Sequence, residues 1–466
     1  MPARTALRHS ALCVAAGAAL AGCLVGPNYK RPATPMSAAY KEAAGWAPIQ
    51  PSDAADKRDW WTVFNDPTLD DLEKRVEVSN QNLAAAEAAY RQARALVAQQ
   101  RAALFPTIGL TGSAGASGGG SSPTVASYQV GAGATWAPDI WGAVRRSIEN
   151  AKDTAQADAA EVGNARLSAQ MELAIDYITL RQLDEEKRIF DATVAADGKS
   201  LAVTQNKYKV GVAARSDVLT AESQLASAQA SDADLVQQRA RTEHAIAILA
   251  GQTPASLTLA PATWTLRPPE IPVGVPSTLL QRRPDVAAAE RTAASANANI
   301  GIQVAAYYPN LTLTGQGGFA SSSLSQLFNA SSTLWSVGAS VAETVFDAGL
   351  RKAKVAAARA AYDQAVANYR QTVLTAFGQV EDNMAAQRVL VGEQAFDQKA
   401  EQAATLNATI TLNEYKAGTV DYTTVAAAQV AALSAQNAEL SVEGSRLATA
   451  VDLIAALGGG WTTAGL

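Results

Sequence analysis

One phrase occurs twice in this chain of 466 residues. Residues 207–219 read KYKVGVAARSDVL, and residues 414–426 read EYKAGTVDYTTVA. The two copies are in register along much of the chain. Gly131 and Gly338, Gly142 and Gly349, Tyr208 and Tyr415, and Gly211 and Gly418 each lie 207 residues apart. Phe105-Pro106 and Tyr308-Pro309, like LAAAE (83–87) and VAAAE (286–290), lie 203 apart. The offset changes between Pro106 and Gly131, where a loop can vary in length. Self-similarity at a long period constrains the fold before any local reading does. With two copies only, the chain is a duplication and not a solenoid.

Each copy reads as a helix, two strands, a very long helix, a tight turn and a further long helix. Asp66-Pro67 opens a helix over about 68–103, with proline favoured in its first turn, and Pro106 ends it. TIGLTGSAG (107–115) and VASYQVGAGATW (125–136) follow, parted by the turn-rich SGGGSSP. In the second copy NLTLTGQGGF alternates Leu311 and Leu313 with Thr312, Thr314 and Gln316, a period of two. LWSVGASVAETVF (334–346) is its partner. Proline is then absent between Pro138 and Pro254 and after Pro309. Helices over about 143–208 and 350–415 would be about 100 Å long at 1.5 Å per residue, with Gly198 and Gly392 as break points. Leu167, Met171, Ala174 and Ile178, and Leu225, Leu235, Ile246 and Leu249, recur at helical spacing as a narrow packing stripe. His244 falls on such a stripe and reads as a packed side chain.

The organisation is therefore a leader (1–22), an irregular segment (23–66), a first copy (67–252, hairpin 107–137), a proline-rich connector (253–276) that offers a short strand, a second copy (277–457, hairpin 310–346) and a tail (458–466). Arg282-Arg283-Pro284-Asp285 reads as a surface cluster where a helix begins. Trp136, Trp141 and Trp335 flank the strands, as membrane-interface residues or as plain packing.

The leader is an address. Arg4 and Arg8 precede an apolar run from Ala11 to Leu20, too short to span a bilayer. Leu20-Ala21-Gly22-Cys23 follows and resembles the bacterial lipoprotein signal, in which the cysteine becomes the acylated N-terminus. Acyl chains on Cys23, at about 0.8 kcal/mol per buried CH₂, anchor firmly. Leu24 stands where inner-membrane retention usually needs Asp, which resembles an outer-membrane destination. Loss of residues 1–22 removes two arginines and takes the net charge from −5 to −7.

Composition excludes several chemistries. The two cysteines are Cys13 and Cys23, and the two histidines His9 and His244. After processing, one histidine remains and no free thiol, which argues against Cys/His metal sites, cysteine proteases and Ser-His-Asp hydrolysis. Gly118-Gly119-Gly120 lacks the lysine and following helix of a phosphate loop. The net charge offers no basic footprint for nucleic acid. No catalytic residue, metal or soluble cofactor is expected.

Two hairpins make four strands. Four cannot close a barrel, and an open edge in lipid leaves backbone groups unpaired at several kcal/mol each. Bacterial outer-membrane barrels begin at eight strands, and three chains would supply twelve. A soluble four-stranded sheet is the plainer alternative. The lipoprotein signal and the oversized helices favour a trimeric pore.

GCLVGPNYKRP (22–32), DWWTVFNDPTLDDL (59–72), LLQRRPDVAAAER (279–291) and the twin hairpins resemble the TolC-like outer-membrane factors, in the lipoprotein, NodT-like branch of RND-type efflux systems. The resemblance spans essentially the whole chain. It implies a mainly α fold with a small β part: a homotrimer with a twelve-stranded β-barrel in the outer membrane, a twelve-helix coiled-coil barrel in the periplasm, and an equatorial belt holding 253–276 and the C-terminus. It implies a passive exit duct fed by an inner-membrane RND-type pump through a periplasmic adaptor. A structural coiled-coil envelope lipoprotein without a pore, or a two-carboxylate hydrolase, are the rival readings.

In such proteins the hairpin tips close the periplasmic aperture and meet the adaptor. The matching tip residues are Val210, Gly211, Val212 and Ala213, and Ala417, Gly418, Thr419 and Val420. Gly211 and Gly418 supply the unhindered backbone of a helix C-cap. Ser216 or Asp217, and Asp421, are expected as N-caps. Asp217, Tyr415, Asp421 and Thr424 are the aperture residues. Under threefold symmetry an Asp facing the axis becomes a carboxylate ring, but the residue expected as acidic in the second copy is Ala427. A link from Tyr415 to Asp217 of a neighbouring hairpin is a further expectation.

Overall fold

The computed structural model describes residues 24–34, 39–44, 46, 59–120, 122–269, 271 and 282–463. The leader, Cys23 and all of 272–281 lie outside the described residues, as do those expectations that fall on them. The fold is mainly helical. A 3₁₀ turn (Trp60–Phe64) leads to α1 (Pro67–Ser79) and α2 (Gln81–Ala102), then strands β1 (Thr107–Gly119) and β2 (Ser122–Trp136). Next come α3 (Ala143–Lys209), α4 (Arg215–Leu249), α5 (Pro284–Ala305), β3 (Asn310–Ser321) and β4 (Thr333–Ala342). The chain closes with α6 (Leu350–Ala417) and α7 (Tyr422–Ala456).

The chain forms two compact units, each drawn from both copies. The first contains 1–33, 88–159 and 288–371; the second contains 34–87, 160–287 and 372–466.

The first unit holds one sheet, in the order β1-β2-β3-β4, with every pair antiparallel. The β2–β3 pairing joins the hairpin of one copy to that of the other. Residues opposite one another share a face, so the register sorts the side chains. Leu110 faces Ala132, which faces Gly317, which faces Trp335. Ile108, Val130, Phe319, Val337 and Val341 fall on that same face. The opposite face carries Thr111, Gly131, Thr314, Gln316, Ser336 and Ser340. A continuous apolar face therefore backs a small, polar one. It is not covered among the described residues: Leu110 is 86% exposed, Val337 76% and Trp335 75%. Gly131 opposes Gly318, and a side chain on Gly318 would strike the backbone of β2.

The segment from Leu24 to Arg31 is tied down in this unit. Arg146, 1% exposed, donates to the carbonyls of Val25 (3.1 Å) and Gly26 (3.2 Å) and to Asn28 Oδ1 (2.9 Å). Gly26 at φ +88° packs directly on Gly301. Tyr29 donates to Glu290 at 2.6 Å. Trp141 donates to the Pro309 carbonyl and stacks on Tyr308 at 4.8 Å, while Trp136 donates to the Leu104 carbonyl.

The second unit holds the main core. Trp60, Trp61 and Phe64 of the DWWTVF segment pack with Leu69, Leu72 and Val76 of α1 and with Leu173, Tyr177 and Leu180 of α3. Asp66 caps α1 through Thr68 N (2.8 Å) and accepts from Tyr177 Oη at 2.7 Å. Connector residues Leu257, Leu259 and Leu266 join the same core. Their backbone is held by a charged lattice: Asp184 accepts from Arg181, Arg239 and Ala262 N, and Glu243 accepts from Leu259 N.

Several local expectations are corrected. The helix expected over 68–103 is two helices, because Asn80 stops α1 and its Oδ1 accepts from Leu83 N in α2, while its Nδ2 donates to the Leu249 carbonyl. Gly198 and Gly392 do not break α3 and α6, which run 67 and 68 residues uninterrupted; neighbouring helix formers outweigh one glycine. His244 is exposed, not packed. The Arg282–Asp285 stretch is not a surface cluster: Arg283 is buried and binds Asp285, Gln379 and the Ala456 carbonyl. The described part of the connector forms a 3₁₀ turn (Pro254–Ser256) and coil, with no strand.

Candidate functional site: the strand wall and the hairpin tips

The tips are built by the same backbone device twice. Gly211 and Gly418 have φ of +77° and +84°, the left-handed region open to glycine without strain. Val212 N donates to the Lys207 carbonyl (2.9 Å) and Thr419 N to the Glu414 carbonyl (3.0 Å), the six-to-one bond of a Schellman cap. The repeated Tyr-Lys-x-Gly phrase thus ends one long helix and turns the chain into the next.

The next helices begin differently. Asp421 caps α7, accepting from Thr424 N (3.0 Å) and Thr424 Oγ1 (2.8 Å). Those bonds, the Thr424 hydroxyl first, hold its carboxyl below the ordinary carboxylate value. In α4 neither Ser216 nor Asp217 is the N-cap. Ala214 occupies that position, and Asp217 reaches back to accept from Ala214 N at 3.3 Å.

Side chains at the two tips also differ. Val210 and Val212 are 73% and 72% exposed, and Tyr208 is 43% exposed. Gly211, Ala417, Gly418 and Thr419 are exposed, while Ala213 and Val420 are partly covered. Tyr415, the counterpart of Tyr208, is 3% exposed. Its hydroxyl donates to Thr204 Oγ1 at 3.2 Å, and its ring meets Tyr422 edge-on at 5.5 Å. Lys207 Nζ lies 3.9 Å from the Tyr415 ring centre and donates to the Tyr415 carbonyl. Within one chain, therefore, Asp421 and Thr424 come together, while the Tyr415 hydroxyl goes to Thr204 and not to Asp217. Ala427 is exposed.

Below Tyr415 lies a polar seam. Gln224 Nε2 donates to Asp197 Oδ1 (3.1 Å) and to Gln429 Oε1 (3.2 Å), and Gln429 Nε2 donates to Ser200 Oγ (3.2 Å). Asp197 is 1% exposed, and burial raises its carboxyl above the ordinary value. Lys207, Thr204, Asp197 and Tyr422 were not singled out from sequence. The signal was present for Lys207, because the repeated phrase has Lys at 207 and Glu at 414.

A sheet that is apolar on one side and polar on the other, joined to long helical hairpins with reversing tips, defines a channel of the outer-membrane kind. No helix among the described residues is long and apolar enough to cross a membrane. The family model for outer membrane efflux proteins matches residues 72–252 and 275–459, and the chain belongs to that family. Relatives include the probable efflux pump outer membrane protein TtgC of Pseudomonas putida, 30% identical over 452 residues, covering 95% of this chain and 93% of the relative. The solvent efflux pump outer membrane protein SrpC of P. putida is 31% identical, covering 95% and 96%. Among solved structures, the outer-membrane channel OprN superposes with a TM-score of 0.87 at 30% identity, covering 94% of this chain and all of that one. The open-state MtrE channel of Neisseria gonorrhoeae gives 0.83 at 26% identity, covering 95% and 99%. The protein is an outer-membrane efflux channel, and its work is transport.

Proposed function

We propose that this chain is the exit duct of a tripartite efflux system. Three copies close a twelve-stranded barrel, Cys23 carries diacylglycerol and N-acyl lipid in the outer membrane, and the hairpin tips form the periplasmic aperture. A periplasmic adaptor engages the tip residues 210–213 and 417–420 and links the duct to an inner-membrane RND-type pump, which supplies the energy. The observation that carries this reading is the strand register: one apolar face, one polar face, and edges at β1 and β4 left unpaired among the described residues. Unpaired edges are intolerable in hydrocarbon, and closure by further copies of the same sheet satisfies them. The side-chain sorting then puts Thr, Ser and Gln around a wet lumen.

Planar-bilayer recording of the purified protein tests the duct. Stepwise conductance from a cross-linkable trimer is expected; a monomer that passes no ions overturns the reading and favours a structural lipoprotein. Cys23→Ser, followed by metabolic palmitate labelling, tests the anchor, with labelling retained by the variant as the contrary result. Affinity capture of the intact envelope complex tests the adaptor and pump.

A further inference from the structure

In the first unit a hollow of about 770 Å³ lies beside the start of the strands. Its walls come from the end of α2, the first four turns of α3 and Arg291 of α5. Its charges are unequal in their occupation. Of the two carboxylates, Glu149 is held by Arg146 at 2.7 Å and Asp153 by Arg291 at 3.5 Å. Arg145 is paired with Asp139. Arg101 and Lys152 have no hydrogen bond or ion pair among the described residues, and both are exposed. Leu104, Phe105 and Ile148 provide the apolar wall, with Phe105 68% exposed. The hollow thus combines two exposed cations outside any hydrogen bond or ion pair among the described residues, Lys152 with its charge also acting on Asp153, with the exposed ring of Phe105.

Two observations give it a level and a side. Phe105 lies two residues before β1, so the hollow adjoins the start of that strand. Leu24, the neighbour of Cys23, packs on Gly142 next to the Arg145 guanidinium. The segment after it runs over Arg146, and the Arg291 guanidinium lies 5.6 Å from the Tyr29 ring centre. The hollow therefore adjoins the N-terminal segment through its lining residues Arg145 and Arg291. A segment that begins at a lipid-bearing residue lies on the outside of a duct.

We propose that this hollow is a binding site for an anionic phospholipid of the inner leaflet of the outer membrane. The phosphate sits between Arg101 and Lys152, and the acyl chains lie along Phe105, Leu104 and the sheet. Basic side chains at a membrane surface attract anionic headgroups, and the adjoining aromatic suits the interface. The proposal rests on the membrane placement given under the proposed function, which fractionation and conductance test separately.

The experiment uses the full acylated protein, stripped of lipid in detergent and re-supplied with phosphatidylglycerol or phosphatidylcholine, with bound lipid counted by native mass spectrometry. Phosphatidylglycerol is expected to be retained about tenfold better than phosphatidylcholine, and Arg101→Gln/Lys152→Gln to lower it to the phosphatidylcholine level. Lys152→Gln alone, expected to give an intermediate loss, guards against a misfolded double variant. Equal retention of the two lipids, undiminished retention by the double variant, or full displacement by inorganic phosphate overturns the site. If the variants still fractionate with the outer membrane and conduct, a failure of the lipid site leaves the duct reading intact.

Discussion

Lys207 and Tyr415 belong to different copies of the repeat and are joined twice, by the ammonium lying 3.9 Å from the ring centre and by its hydrogen bond to the Tyr415 carbonyl. The contact fastens the second hairpin, at its turn, to the helix of the first. Such paired contacts are worth about 1–2 kcal/mol. Lys207→Met keeps the aliphatic stem and removes the charge, so open-tip excursions should rise roughly tenfold. Tyr415→Phe loses only the bond to Thr204 and should raise them a few-fold. Single-channel recording reads both; unchanged closed times for both variants would remove Lys207 from the gate.

The glycines of the two tips are not equally exposed to substitution effects. Gly211→Val and Gly418→Val each force a β-branched residue into a left-handed backbone, at about 1–3 kcal/mol of local strain. The first tip is open, so under the proposed adaptor contact Gly211→Val should fray it and weaken adaptor capture with little effect on melting. The second tip is packed at Tyr415 and Tyr422, so Gly418→Val should also disturb the proposed aperture. Adaptor pull-down and conductance compare them, and identical phenotypes would show that the packing difference has no functional weight.

Glu73 gives a pH dependence. It is fully buried in α1 and its two carboxylate oxygens have no partner among the described residues. Burial first, then the charge of Glu77, raises its carboxyl to about 9 from an ordinary 4.5. The native state therefore holds the proton more tightly than the unfolded state. Its contribution is fully present below the ordinary value of 4.5, declines as pH rises, and is gone above about 9. Melting temperature should fall across that window and fall less in Glu73→Gln. Parallel melting curves of the two proteins at every pH would count against it.

Gly318 lies against Gly131 where the two hairpins meet. A valine at 318 must push β2 and β3 apart, an overpacking cost of about 1–3 kcal/mol. The oligomer should lose thermal resistance on a seminative gel while the helical circular dichroism is retained. Full resistance would mean that the seam has room.

What could be read beforehand followed the periodicities. The strand faces were legible because Leu311 and Leu313 alternate with Thr312 and Thr314, and the tips because the Tyr-Lys-x-Gly phrase repeats. Departures arose where one side chain meets a distant partner. Asn80 splits a uniform helical pattern through its bonds to Leu83 and Leu249, and Arg283 is drawn inside by Gln379 and the Ala456 carbonyl. Spacing along the chain carries no trace of those partners. The burial of Tyr415 beside the exposure of Tyr208 was hidden for the opposite reason: the local phrases are nearly the same, and only their surroundings differ.

The uncovered edges of β1 and β4 have a genetic corollary under the trimeric reading. Each subunit must offer both edges to its neighbours, so a polypeptide with one spoiled edge is incorporated by the intact edge and strands the whole ring. Co-expression of such a chain with the normal one should reduce export far below half. Damage of this kind is inherited as dominant, although the channel is only a passive conduit.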